Sequence, residues 1–143
     1  MLYEVWKNMA DVKIVVDTRE QHPLLKGKET IRKALKTGDY SLEGQEHLLS
    51  VERKSLPDLF GTLGSGHERF KKELARALNY KYFVILIEGS YSDCVNKNFP
   101  GSENCKMKGS TIISILFTIH LKYGVHLFFS SGRVEAKAVL RSI

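Results

Sequence analysis

The stretch HLLSVERKSLPD, residues 47–58, runs an apolar segment straight into Glu52, Arg53 and Lys54. Aliphatic residues ending in alternating charges predict a strand. On a strand Glu52 and Lys54 share one face, while Val51 and Arg53 share the other. A carboxylate and an ammonium group are thereby set side by side at a strand end. The next residues open a helix: Ser55 is placed as its N-cap, with Pro57 and Asp58 in the first turn.

Working outward, DYSLEG (39–44) pairs with HLLSVERK as a hairpin, entered through the turn residues Gly38 and Asp39. VKIVVD (12–17) predicts a further buried strand that ends in Asp17. TIRKALKTGDYSL leaves open a short helix or an extended segment. Downstream, HERFKKELARALNY places Phe70, Leu74, Ala77 and Leu78 on one helical face, with Arg69, Lys72, Glu73 and Arg76 largely away from it. YFVILIEG (82–89) is apolar on both faces, as expected of a strand in the middle of a covered sheet. The 19-residue stretch from Tyr91 to Gly109 is long for a plain connection, so it holds a short helix or is a functional loop. A helix ending at Gly124, the strand VHLFFSS and the helix RVEAKAVLRS complete a mixed α/β sheet sandwiched by helices. The apolar face of TIISILFTIHL is core against the sheet or, in part, a dimer surface.

The chain has 143 residues, 43% of them hydrophobic and 27% charged, which fits one soluble domain. A net charge of +6 favours polyanionic partners. Cys94 and Cys105 lack the spacing of a zinc site, and the five histidines show no ligand pairing. No apolar run reaches the roughly 18 residues of a membrane span, and residues 1–10 lack a signal core, so an intracellular protein is expected. GTLGSG lacks the GK[ST] ending of a phosphate loop, so no nucleotide cofactor is expected. Arg133, Lys137 and Arg141 recur every four residues along the last helix, as a solvated stripe or a DNA-facing one.

An acid two residues before a lysine is, taken alone, a common surface pair. Here it follows a very apolar strand. Asp39 lies on the partner strand, and Asp17 ends another, so three carboxylates are able to converge. Carboxylates held together repel one another, and a hard divalent cation relieves them, Mg2+ or Mn2+ being the expected guest. With a lysine alongside, such a pocket is suited to phosphodiester hydrolysis.

The chain resembles the XPF-type structure-specific DNA endonucleases, whose signature is GD, a spacer, then ERKxxxD. The signature stands here as Gly38, Asp39, Glu52, Arg53, Lys54 and Asp58. VDTRE (16–20), RFKKEL (69–74) and VILIEG (84–89) extend the likeness over about residues 12–142. It implies a restriction-endonuclease-like fold, a mixed β-sheet flanked by helices on both faces. The nuclease domain would occupy 12–143, after an extension at 1–11 and without a helix-hairpin-helix module. It further implies Asp39, Glu52 and Lys54 as catalytic residues, with Arg53 and Asp58 as motif members. Strand alternation turns Arg53 away from Lys54, toward the following helix and Asp58. Asp17, Asp39, Glu52 and Glu20 are the implied metal ligands, for Mg2+ or Mn2+. Arg69, Lys72 and Arg19 are the implied DNA contacts. The implied partners are DNA with single-strand/duplex junctions and either a second copy or a partner subunit. A catalytically silent DNA-binding scaffold and a junction resolvase or nicking enzyme are the alternative functions.

Overall fold

The computed structural model describes residues 12–143, and the expected extension at 1–11 lies outside the described residues. Six strands form one sheet: β1 (Ile14–Val16), β2 (Thr30–Arg32), β3 (Tyr40–Leu42), β4 (Leu49–Ser55), β5 (Tyr82–Glu88) and β6 (His126–Ser130). Their order across the sheet is β2-β1-β3-β4-β5-β6. β3 runs antiparallel to both β1 and β4, whereas β4, β5 and β6 are mutually parallel. Five helices are described: α1 (Leu56–Leu63), α2 (His67–Ala77), α3 (Tyr91–Asn96), α4 (Gly109–Tyr123) and α5 (Arg133–Ser142).

Alternation along the strands divides the core in two. On one face Ile85 and Ile87 of β5 meet Leu59 and Phe60 of α1, Phe70 and Leu74 of α2, and Ile112, Leu116 and Ile119 of α4. On the other face Val16, Tyr40, Val51, Val84 and Leu86 meet Leu24, Leu25, and Ala136 and Leu140 of α5. This accounts for the unbroken apolar run of β5: it is covered on both sides.

Several local expectations are resolved. The ambiguous stretch at 30–42 begins as an edge strand, because β-branched Thr30 and Ile31 pair in parallel with Ile14 and Val15. Residues 33–37 then cross back over the sheet with Leu35 buried. The long connection from Tyr91 to Gly109 holds α3, capped by the Ser90 hydroxyl, and a short 3-10 turn at Ser102–Asn104. Leu78 departs from the expected inward face and is 63% exposed, since the buried stripe of α2 ends at Ala77. α4 buries Ile112, Ile113, Leu116 and Ile119 against the core and leaves Phe117 and Leu121 exposed. The basic stripe of α5 ties the helix to loops: Arg133 donates to Pro23 O at 2.8 Å, and Arg141 pairs with Glu29 at 2.9 Å.

Gly38 holds the turn into β3 at φ +85°, where a Cβ would collide with Ser50 Oγ and stand 3.1 Å from Val51 O. Gly61, by contrast, is exposed on α1 with open space around it. Gly38→Ala should lower the free energy of urea unfolding by about 2–4 kcal/mol through left-handed strain and overpacking. Gly61→Ala should raise it by about 0.5–1 kcal/mol through helix propensity.

Candidate active site

Strand pairing determines which acids meet. The amide of Asp17 donates to Asp39 O at 2.8 Å, and the amide of Asp39 donates to Val51 O at 2.8 Å, extending the β1-β3-β4 ladder past the strand ends. Tyr40 is registered against both Val16 and Val51, and all three point into the α5 core. The neighbours of these residues therefore turn to the opposite face, and Asp39 and Glu52 come together beneath α2. The amide of Arg53 donates to Asp39 Oδ2 at 2.9 Å and fixes that carboxylate. Lys54 is two residues beyond Glu52 on the same face, with Nζ 3.5 Å from Glu52 Oε1. Both side chains are largely withdrawn from solvent, at 16% and 15% exposure.

Electrostatics mark this corner as strained. Burial pushes the Glu52 carboxyl up to about 8, with Asp39 and Glu73 adding to the rise and Lys54 opposing it. Burial likewise raises Asp39 to about 6, against the Arg53 amide, with Glu20 and Asp17 nearby adding to the rise. Glu73 was expected on the outer face of α2. It is instead half-buried and near enough to the Glu52 carboxyl to add to its rise. Sequence periodicity did not reveal Glu73. Its spacing of one turn beyond Arg69 is the signal that could have placed it in the same cleft.

The remaining expected residues are placed as follows. Asp17 borders the pocket, but its oxygens are engaged: Oδ1 accepts from Leu35 N at 2.8 Å and Oδ2 from Arg19 Nε at 2.8 Å. Burial would raise its carboxyl, yet these donors outweigh that and lower it. The Arg19 guanidinium also donates to Leu35 O at 2.9 Å and is drawn electrostatically to Asp39 and Glu52. Glu20 keeps different company from Glu52: it accepts from the Tyr40 hydroxyl at 3.3 Å and pairs with Arg53 at 3.5 Å. Arg53 does turn away from Lys54, but it does not reach for Asp58. It sits against Leu86 in the β5 register, with Glu88 two residues further on the same face, and there it bonds Glu88 and His22 O. Asp58, with its amide on the Ser55 hydroxyl, lines a cleft of about 650 Å3 together with Lys54, Gly61, Arg69 and Glu73. Lys72 is exposed on α2.

The donor set fits a hard cation. Asp39 and Glu52 offer carboxylate oxygens that resist ionisation without a counter-charge, and Mg2+ is commonly held through one or two carboxylates plus water. Among the described residues no three His, Cys, Asp or Glu side chains already form a ligand set. Asp39 and Glu52 are neighbours in the pocket, and Glu73 is near Glu52.

Comparison with known proteins gives the family and the fold. The model of the ERCC4 domain matches residues 16–143, and the chain belongs to that family. Its fold is that of an XPF-type nuclease domain: XPF from Aeropyrum pernix superimposes with a TM-score of 0.70 at 25% identity over 91% of this chain. The same archaeal protein in complex with DNA gives 0.70 at 26% identity over 91%. In both cases the match spans 62% of the archaeal chain. No curated protein sequence matches.

The raised Glu52 carboxyl carries a stability consequence. Between the ordinary glutamate range and about 8 the native state holds a proton that the unfolded chain releases. Stability is thus fully present at low pH and is lost as pH rises through that window. In chelator at pH 8, Glu52→Gln should melt about 3–6 °C higher than the unaltered protein, and the gap should close below pH 5. Thermal unfolding across pH 5–8 measures it, and equal melting curves would contradict the assignment.

Proposed function

We propose that the chain is a metal-dependent endonuclease that hydrolyses phosphodiester bonds in branched DNA, with flap or fork junctions as substrates. The observation that carries this reading is the meeting of Asp39 and Glu52 in one half-buried corner, with Lys54 Nζ 3.5 Å from Glu52. Membership of the ERCC4-domain family and the likeness to an archaeal XPF solved with DNA support it.

Asp39 and Glu52 would hold Mg2+ or Mn2+, with Glu73 close to Glu52. When bound, such an ion supplies Lewis acidity, drawing charge from a phosphoryl oxygen and promoting ionisation of water. The chain supplies position. The Arg53 amide fixes Asp39, and the β4-β5 ladder fixes Glu52 and Lys54, so these groups keep their places without loop motion. The Lys54 ammonium holds its proton at Nζ beside the reacting phosphate, orienting the attacking water and balancing charge on the phosphoryl oxygens. The attacking water gives up one proton to solvent as its oxygen adds to phosphorus, one P–O ester bond breaks, and the departing oxygen takes a proton from solvent. Arg69 in the cleft and Arg19 at the pocket edge face the DNA backbone. Asp17 serves by holding Arg19 and the 33–37 segment. On the far side of the sheet Arg53 is a positioning residue.

A catalytically silent scaffold is the second reading, and the retention of Asp39, Glu52 and Lys54 together argues against it. Incubation of the protein with labelled flap, fork, four-way-junction and linear DNA separates the two. Cleavage of branched substrates in Mg2+ or Mn2+ is expected, with none in chelator. Glu52→Ala and Lys54→Ala should each lose about 100-fold or more in rate while remaining folded. Salt-sensitive binding without any metal-dependent product would establish the scaffold instead.

A further inference from the structure

A second groove, of about 540 Å3, opens on the same face of the sheet as Glu52. One wall is the 33–37 crossing and the other is the end of α2 with the turn after it, so that Lys36 and Arg76 both line the groove together with Lys33, Glu46 and His47. Both walls lead to the acids. The 33–37 segment passes directly into Gly38 and Asp39. It is also fastened to the pocket: Asp17 and Arg19 bind the two backbone groups of Leu35, and Ser50 Oγ donates to Thr37 O at 2.9 Å. Along α2, Arg76 follows Glu73 by three residues, a rise of about 4.5 Å.

The charges here are not internally satisfied. Lys33 pairs with Glu46 at 3.0 Å, but Lys36 and Arg76 are exposed and form no ion pair among the described residues. Two uncompensated cations lining one groove, one of them three residues from Glu73 and the other three residues before Asp39, match a polyanion in sign. Glu73 lines the Lys54–Arg69 cleft, and Arg76 lines the second groove, so α2 contributes to both.

We propose that the groove between residues 33–37 and α2 seats the sugar–phosphate backbone of the substrate DNA, Lys36 and Arg76 meeting phosphates that flank the one presented to Glu52 and Lys54. This rests on the nuclease reading and adds a path to it: the cut strand enters by the Arg69 cleft, crosses the acids and continues along α2. The contacts are to backbone, so they position the substrate without reading its sequence.

The test is fluorescence anisotropy of a labelled flap duplex with the full chain in chelator, between 50 and 200 mM salt, alongside cleavage in Mn2+. Lys36→Ala/Arg76→Ala should reduce the slope of log Kd against log salt by about 2 and weaken binding about tenfold to a hundredfold at 100 mM. The control is Lys28→Ala/Lys122→Ala. These two lysines precede Thr30 and Gly124 at the opposite end of the sheet, where β2 and β6 begin, and the slope should stay unchanged. If the two double variants bind alike while the unaltered protein cleaves, the path is overturned and the nuclease reading stands. If the unaltered protein neither binds nor cleaves, both fall.

Discussion

Two carboxylates, Asp39 and Glu52, are driven into one desolvated corner by the hydrogen-bond ladder that builds the sheet. Asp17 N to Asp39 O and Asp39 N to Val51 O are ordinary backbone bonds, yet they settle which side chains share a face. Once Tyr40 and Val51 are committed to the α5 core, Asp39 and Glu52 have only the opposite face, and α2 closes over them. The repulsion that results is a cost of folding. It is the same property that makes the corner receptive to a divalent cation.

The surroundings are built to hold that repulsion in place. β5 is apolar on both faces and pairs with β4 from Leu49 to Ser55, so Glu52 and Lys54 project from a strand held along its whole length. On the reverse face Arg53 joins Glu88, Glu20 and the carbonyl of His22, binding the loop after β1 to the ends of β4 and β5. Among the described residues no buried side-chain nitrogen or oxygen lacks a hydrogen-bond partner. The strain is therefore local to the acids and is not spread through the core.

The sheet and most of its helices were legible because their signals are short-range: the β-branched run of β1, the Ser55-Pro57-Asp58 helix opening, the doubly apolar β5, and Gly124 closing α4. The pairing of Asp39 with Glu52 was legible for the same reason, since a hairpin fixes both by alternation. What was not legible depends on contacts distant in sequence. The burial of Glu73 follows from its approach to Glu52, a contact distant in sequence that a helical wheel does not contain. The engagement of Asp17 by the Leu35 amide follows from the path of 33–37, a stretch without a strong pattern. Glu88 as the partner of Arg53 required the β4-β5 register, and Asp58, nearer in sequence, was the wrong choice. These long-range terms also set the electrostatics, because each moves a charge or a donor toward or away from the same corner.

The central claim is that Asp39 and Glu52 are jointly a cation pocket within reach of the Lys54 ammonium. Anomalous diffraction from crystals soaked in Mn2+ tests it most directly. The account predicts a peak in contact with oxygens of both Asp39 and Glu52, at about 2.0–2.3 Å, with Lys54 Nζ nearby but not ligating. An ion bound elsewhere, or a corner that stays free of Mn2+, would contradict it.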